Sequence, residues 1–200
     1  MGIYSIKPAF RATLRPVGGA LVRAGVSADA VTVAGLAFAG LAGLGIWLGR
    51  EGSAWLVMVP VGAFLRIVAN ALDGMVAEAR ETGRPLGEVL NETVDRLADV
   101  AVFLPMGLVP GVHPLLVAGA LAAMLTTSFL GVVIKSAGGP RIYTGVMGKP
   151  DRMFFAGGAA VVALWLDPGD VFTWALWIVI VGCIVTLVQR AAAARRALSR

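Results

Sequence analysis

Six apolar stretches of about 16 to 24 residues follow one another along the chain, at about 29–49, 54–77, 87–110, 114–135, 152–167 and 171–190. A helix needs roughly 20 residues to cross a hydrocarbon core of about 30 Å, so each stretch is sized as one membrane span. The breaks (REGSA, EARETGRP, PGVHP, the glycine-rich run from Ser136 to Lys149, and DPGD) carry turn-forming and helix-ending residues. Only 14% of the 200 residues are charged and 58% are hydrophobic, with a mean hydropathy of +0.84. A soluble domain carries about a quarter charged residues. The expected fold is therefore all-α, an integral membrane bundle of six transmembrane helices that uses up the chain and leaves no room for a second domain. Cys183 is the single cysteine, so no intrachain disulfide can form and the residue reads as packing.

The 28 residues before the first stretch read as neither a signal peptide nor a span. Lys7, Arg11 and Arg15 recur every four residues, with Phe10, Leu14 and Leu21 as apolar contacts, which predicts an amphipathic helix on the cytoplasmic membrane surface. The expected organisation is a juxtamembrane segment over 1–28, the bundle over 29–190 and a basic tail over 191–200. With six spans both termini share one side. That side collects Lys7, Arg11, Arg15, Arg23, Arg80, Arg84, Lys135, Arg141, Lys149, Arg152, Arg190, Arg195, Arg196 and Arg200, against Arg50 on the other. The positive-inside rule then makes both termini cytoplasmic, in a bacterial inner membrane. Trp47, Trp55, Trp165, Trp174 and Trp177 fall at the outer ends of their spans, where indole rings favour the interface.

Against this background the polar stretch from Asn70 to Asp99 is costly. A charge at a helix centre costs roughly 2.5 to 3.5 kcal/mol on insertion scales, so Asp73, Glu92, Asp95, Arg96 and Asp99 cannot all face lipid. Arg66, Asn70 and Asp73 share one face near the end of the second span, and Asn91, Asp95 and Asp99 form a stripe at the start of the third. The short turn between Glu78 and Leu86 makes the two helices antiparallel neighbours, so their stripes meet. Oxygen donors at matched depth on two helices suit a hard cation, and Mg²⁺ held by a few carboxylates plus substrate phosphate is the common form. Gly74 and Gly87 keep side chains away from the cluster, which lets a phosphate or nucleotide approach the backbone.

At these residues the chain resembles the CDP-alcohol phosphotransferase family of integral membrane enzymes, whose signature is D-x-x-D-G-x-x-A-R, eight residues, G-x-x-x-D-x-x-x-D. The second Asp falls on Asp73, the first Gly on Gly74, the Ala on Ala77, the second Gly on Gly87 and the last Asp on Asp95, without a gap. The first and third Asp positions hold Asn70 and Asn91, and the Arg position holds Glu78, with Arg80 two residues later. Two Asp in place of four hold cations more weakly and put a two-metal arrangement in doubt. Asp99 and Glu92 add carboxylates that the signature does not require.

The resemblance implies transfer of a phosphoalcohol group, foremost a phosphatidyl group, from a CDP-linked donor such as CDP-diacylglycerol to a small acceptor alcohol, with release of CMP. It implies Mg²⁺ or Mn²⁺ as cofactor and a homodimer in the lipid bilayer; no nucleic-acid partner is expected. Asp73 would be the chief metal ligand, with Asn70, Asn91, Asp95 and Asp99 completing the set, and Asp95 would take the acceptor's proton. Gly74, Ala77 and Gly87 would line the donor site, and Arg66 or Arg80 would contact donor phosphate. Arg141, Lys149 and Arg152 in GGPRIYTGVMGKPDR resemble the family's basic loop and would meet a phosphorylated acceptor or anionic head groups. Any inner-face loop is equally expected to be basic.

Two other functions compete: an inactive relative that binds nucleotide or lipid, motivated by the Asn substitutions, and an ion or proton pathway through intramembrane acids. The polar set is confined to one end of two helices, which disfavours a pathway. Gly35, Gly40, Gly43 and Gly45 suit close helix packing or a dimer seam. Thr126, Thr127 and Ser128 are expected to bond within the helices, His113 to sit in a loop, and Asp167 and Asp170 to end helices.

Overall fold

The computed structural model describes residues 7–80, 85–140, 142 and 145–198. Seven α-helices follow in order: α1 (Lys7–Arg23), α2 (Ala28–Leu48), α3 (Met58–Ala79), α4 (Pro85–Phe103), α5 (Pro114–Ser136), α6 (Lys149–Val162) and α7 (Pro168–Leu198). Short 3-10 turns at Ser53–Val57 and Leu104–Leu108 lead into α3 and out of α4. No strand occurs among the described residues. The helices start and stop where the sequence supplies chemistry for it. Ser27 caps α2 by accepting from the Ala30 N–H at 3.1 Å, and His113 Nδ1 caps α5 by accepting from the Leu115 N–H at 3.2 Å. Asp167 Oδ1 accepts from the Asp170 N–H at 3.0 Å at the head of α7. Pro85, Pro114 and Pro168 occupy first helical positions, where a missing N–H costs nothing. After α1, Gly25 turns the chain with φ +79°, a conformation that a Cβ disfavours.

Four of these helical segments are long and apolar enough to cross a membrane: α2, Ser53–Ala79, α5 and α7. α4 carries Glu88, Glu92, Asp95, Arg96 and Asp99, and α6 has 14 residues, a rise of about 21 Å. Both nevertheless pack inside the same bundle. α2 lies against α3 and α4, α6 against α3 and α7, and α7 against α5. Ile46, Val59, Val102, Phe103, Met106, Met124, Phe172 and Leu176 fill a continuous core, while Phe64, Phe129, Trp174 and Val188 project outward. An apolar exterior over an apolar core is what a lipid solvent requires and what water penalises. All five tryptophans are exposed.

Three of the four glycines of α2 are explained within the chain. A Cβ on Gly43 would lie 2.0 Å from the Ala101 carbonyl oxygen of α4, and one on Gly45 would lie 2.7 Å from Met58 Cβ. Gly35 faces the Arg66 side chain, whereas Gly40 has nothing within 4 Å. Backbone contact this close leaves no flexible neighbour to give way. Gly43→Ala is expected to push α2 off α4 and cost about 1 to 3 kcal/mol, as over-packing does. Gly40→Ala is the matched control, and thermal unfolding in detergent compares the two.

α1 packs on the end of α3. Leu14 and Leu21 meet a small core of Val31, Ala69 and Leu72. Arg11 pairs with Glu78, and Arg80 Nη2 donates to the Val22 carbonyl at 3.0 Å. Glu78 and Arg80, which depart from or follow the family's Arg position, thus fasten α1 to the bundle.

Candidate active site

Helices α3 and α4 each pack on α2 and on α6 rather than on one another, and the Arg66 and Asn70 side chains of α3 reach Asp95 of α4 across the gap, which brings the two polar stripes together. Asp73 is 6% exposed. Its Oδ2 accepts from Thr32 Oγ1 of α2 at 3.0 Å, and its Oδ1 from the Gly74 N–H at 2.6 Å. Both partners are neutral. A buried carboxylate without a paired cation is expensive, so the site as folded calls for positive charge. Asp73 lines a cleft of about 480 Å³ with Ser27, Asp29, Thr32, Gly74, Ala77, Arg80, Gly87 and Asn91. Asn91 Oδ1 is buried there and has no hydrogen-bond partner. A carboxylate with neutral donors and an unpartnered carbonyl oxygen on one cleft fit a single hard cation, the remaining ligands coming from water and substrate phosphate. No three His, Cys, Asp or Glu side chains among the described residues converge on a metal position.

The neighbouring half of the cluster is built differently. Asp95 Oδ1 accepts from Arg66 Nη2 and from Asn70 Nδ2 at 3.2 Å, and its Oδ2 accepts from Lys149 Nζ. Lys149 also reaches Glu92 Oε1 at 3.3 Å, and Glu92 pairs with Arg96. A cavity of about 30 Å³ lined by Arg66, Asn70, Asp95, Asp99 and Lys149 leaves room for about one water. One turn deeper, Asp99 pairs with Arg152 Nη1, and Arg152 Nη2 donates to Ser128 Oγ at 3.1 Å. Arg152 is 0% exposed.

Each residue expected at the site can now be placed. Asp73, Gly74, Ala77, Arg80, Gly87 and Asn91 share the open cleft. Arg66, Asn70, Asp95, Asp99 and Lys149 share the narrow cavity. Arg152 lines neither; it is held by Asp99 and Ser128 in the interior. Arg141 lies outside the described residues. Thr127 Oγ1 donates to the Ala123 carbonyl of its own helix at 2.6 Å, and the Thr127 carbonyl accepts from Arg190 Nη1 at 2.6 Å. Thr32, Ser27 and Asp29 line the cleft without having been singled out from sequence. The one local signal is the pair of polar residues Ser27 and Asp29 where the first apolar stretch begins.

No family model matches the sequence. The chain is 36% identical over 165 residues to the inner membrane protein YnbA of Escherichia coli, covering 82% of this chain and 79% of that protein. It is 33% identical over 189 residues to the phosphatidylinositol phosphate synthase of Mycolicibacterium smegmatis, covering 90% and 83%. Among solved structures, Mycobacterium tuberculosis phosphatidylinositol phosphate synthase (PgsA1) in complex with manganese and citrate superposes with a TM-score of 0.73, at 22% identity over 90% of this chain and 87% of that one. The same protein with CDP-DAG bound gives 0.72, covering 90% and 92%. At that identity the structural likeness speaks for the fold.

Proposed function

The chain belongs to the CDP-alcohol phosphotransferase family, and from that premise we propose that it is a metal-dependent membrane transferase moving a phosphatidyl group from CDP-diacylglycerol to a small alcohol. The observation that carries this reading is Asp73, buried with neutral hydrogen-bond partners and lining a cleft sized for a nucleotide together with Asn91, whose buried carbonyl oxygen has no partner. Asp73 and Asn91 would hold one Mg²⁺ or Mn²⁺. Bound there, the ion supplies charge against the donor diphosphate and the leaving CMP.

The chain's own residues do the rest. Gly74 and Gly87 let the diphosphate reach the cleft wall, and Arg80 at its rim is placed to meet phosphate. The acceptor oxygen attacks the phosphorus bearing the lipid, the P–O bond to CMP breaks, and CMP leaves with the electron pair. The hydroxyl proton passes to a free lone pair of Asp95 Oδ2, while Lys149 keeps its bonds to that oxygen and to Glu92. Asn70 positions Asp95 through its amide N–H. Arg152 is committed to Asp99, so an acceptor phosphate finds no partner in it. The acceptor panel accordingly includes both phosphorylated and plain alcohols, inositol phosphate among them because of the relatives' names.

The membrane arrangement that accompanies this reading has α2 to α7 all crossing, with α4 and α6 sheltered by more apolar neighbours. α1 lies on the cytoplasmic surface, both termini are cytoplasmic, and the protein works as a homodimer in the inner membrane. Basic residues gather at the α3–α4 and α5–α6 ends and exposed tryptophans at the other, which supports that orientation.

The test is CMP release by purified protein given CDP-diacylglycerol and Mg²⁺ across the acceptor panel. Release that requires both metal and one acceptor, and that vanishes in Asp95→Asn, is the expected result. Nucleotide binding without release under every acceptor would instead identify an inactive binder, and ion flux in liposomes would identify a pathway.

A further inference from the structure

We propose that Arg66 and Lys149 are fixed cations that fill the Asp95 half of the site, so that this chain holds one divalent ion, at Asp73, and not two; the inference rests on the transferase reading. The two halves have matching oxygen sets: Asp73 with Asn91, and Asp95 with Asn70. They differ in what meets them. Asp73 meets a hydroxyl and a backbone N–H, whereas both oxygens of Asp95 are taken by a guanidinium and an ammonium.

Two further features indicate that these cations are built in. Lys149 is the first residue of α6, where the helix dipole disfavours positive charge. Its pairing with Asp95 and Glu92 offsets that cost. Arg66 is 4% exposed in the interior, and its Nη1 has no partner. Room for it exists because α2 has glycine opposite, since a Cβ on Gly35 would lie 2.9 Å from that nitrogen. An arginine kept at that expense is held for its bond to Asp95. The cavity between these groups is small, about 30 Å³, and the cations rather than open space meet the carboxylate oxygens. Lys149 then places its ammonium where a second metal would otherwise stabilise charge on the transferring phosphate.

Mn²⁺ titration of the purified full-length protein, read by electron paramagnetic resonance and calorimetry, tests this without any turnover. Wild type is expected to bind one equivalent, Lys149→Arg one, and Lys149→Gln a second, weaker equivalent. Lys149 is 24% exposed at a helix end, so these variants should fold, and thermal midpoints check that they do. Two equivalents in wild type, or one in Lys149→Gln, would overturn the proposal while leaving the transferase reading intact if CMP is released. No Mn²⁺ binding to wild type would overturn it and the metal part of that reading together.

Discussion

Replacing Asp73 by alanine is expected to lower CMP release by at least about a thousand-fold while leaving the fold intact. The magnitude follows from the role. A metal that polarises a phosphoryl oxygen contributes several kcal/mol of transition-state stabilisation, and about 4 kcal/mol is a factor of about a thousand. Stability should hardly change, for two reasons. The lost carboxylate is buried against neutral donors, so its removal relieves a desolvation cost. Thr32 is not orphaned either, because its hydroxyl also bonds the Ala28 carbonyl at 3.1 Å. Rates of CMP release and thermal midpoints in detergent, measured side by side, check both halves. Asp73→Asn, which keeps the shape and loses the charge, should behave as the alanine variant does. A variant that loses activity only because it aggregates would make Asp73 a structural residue.

What sequence could show of this site was whatever lies within one helix or across one short turn. The spacing of Asn70 and Asp73 and the stripe Asn91, Asp95 and Asp99 follow from 3.6-residue periodicity, whereas the direct pairing of their helices expected from the short connection gives way to packing of both on α2 and α6. The apolar stretches foreshadowed α2 to α7, and the glycines at 35, 43 and 45 foreshadowed a close approach, which proves to be within the chain. The charge partners were illegible, because they come from far along the chain. Thr32 reaches Asp73 across 41 residues, Lys149 reaches Asp95 across 54, and Arg152 reaches Asp99 across 53. Register between such helices is set by packing, which no local pattern encodes. By local pattern alone the carboxylate stripe reads as one ligand set and the basic loop as a site for a phosphorylated acceptor or anionic head groups, with no sign that their members pair. In the fold the two meet, and most of their charge is spent on each other.

Arg152→Met is expected to be the most destabilising of the polar substitutions, by about 3 to 5 kcal/mol, because it leaves Asp99 charged, buried and unpaired. For a chain of this size that corresponds to a fall on the order of ten degrees in thermal midpoint. The double variant Arg152→Met with Asp99→Leu removes both charges and should recover most of the loss, since a buried ion pair replaced by apolar groups of similar volume is often neutral. Ser128 Oγ loses its Arg152 donor in either variant, and a serine hydroxyl in a helix can turn to a carbonyl one turn back instead. The same double variant decides what Asp99 does. As a metal ligand, which its place one turn beyond Asp95 suggests, it would take Mn²⁺ affinity down with it. As the structural counter-charge of a fully buried arginine, it would leave Mn²⁺ stoichiometry and affinity as in wild type, and that is the expected result. The distinction matters for reading relatives of this chain. An aspartate four residues past the signature need not extend the metal site, and a lysine and two arginines within the bundle can define which carboxylates remain for the ion.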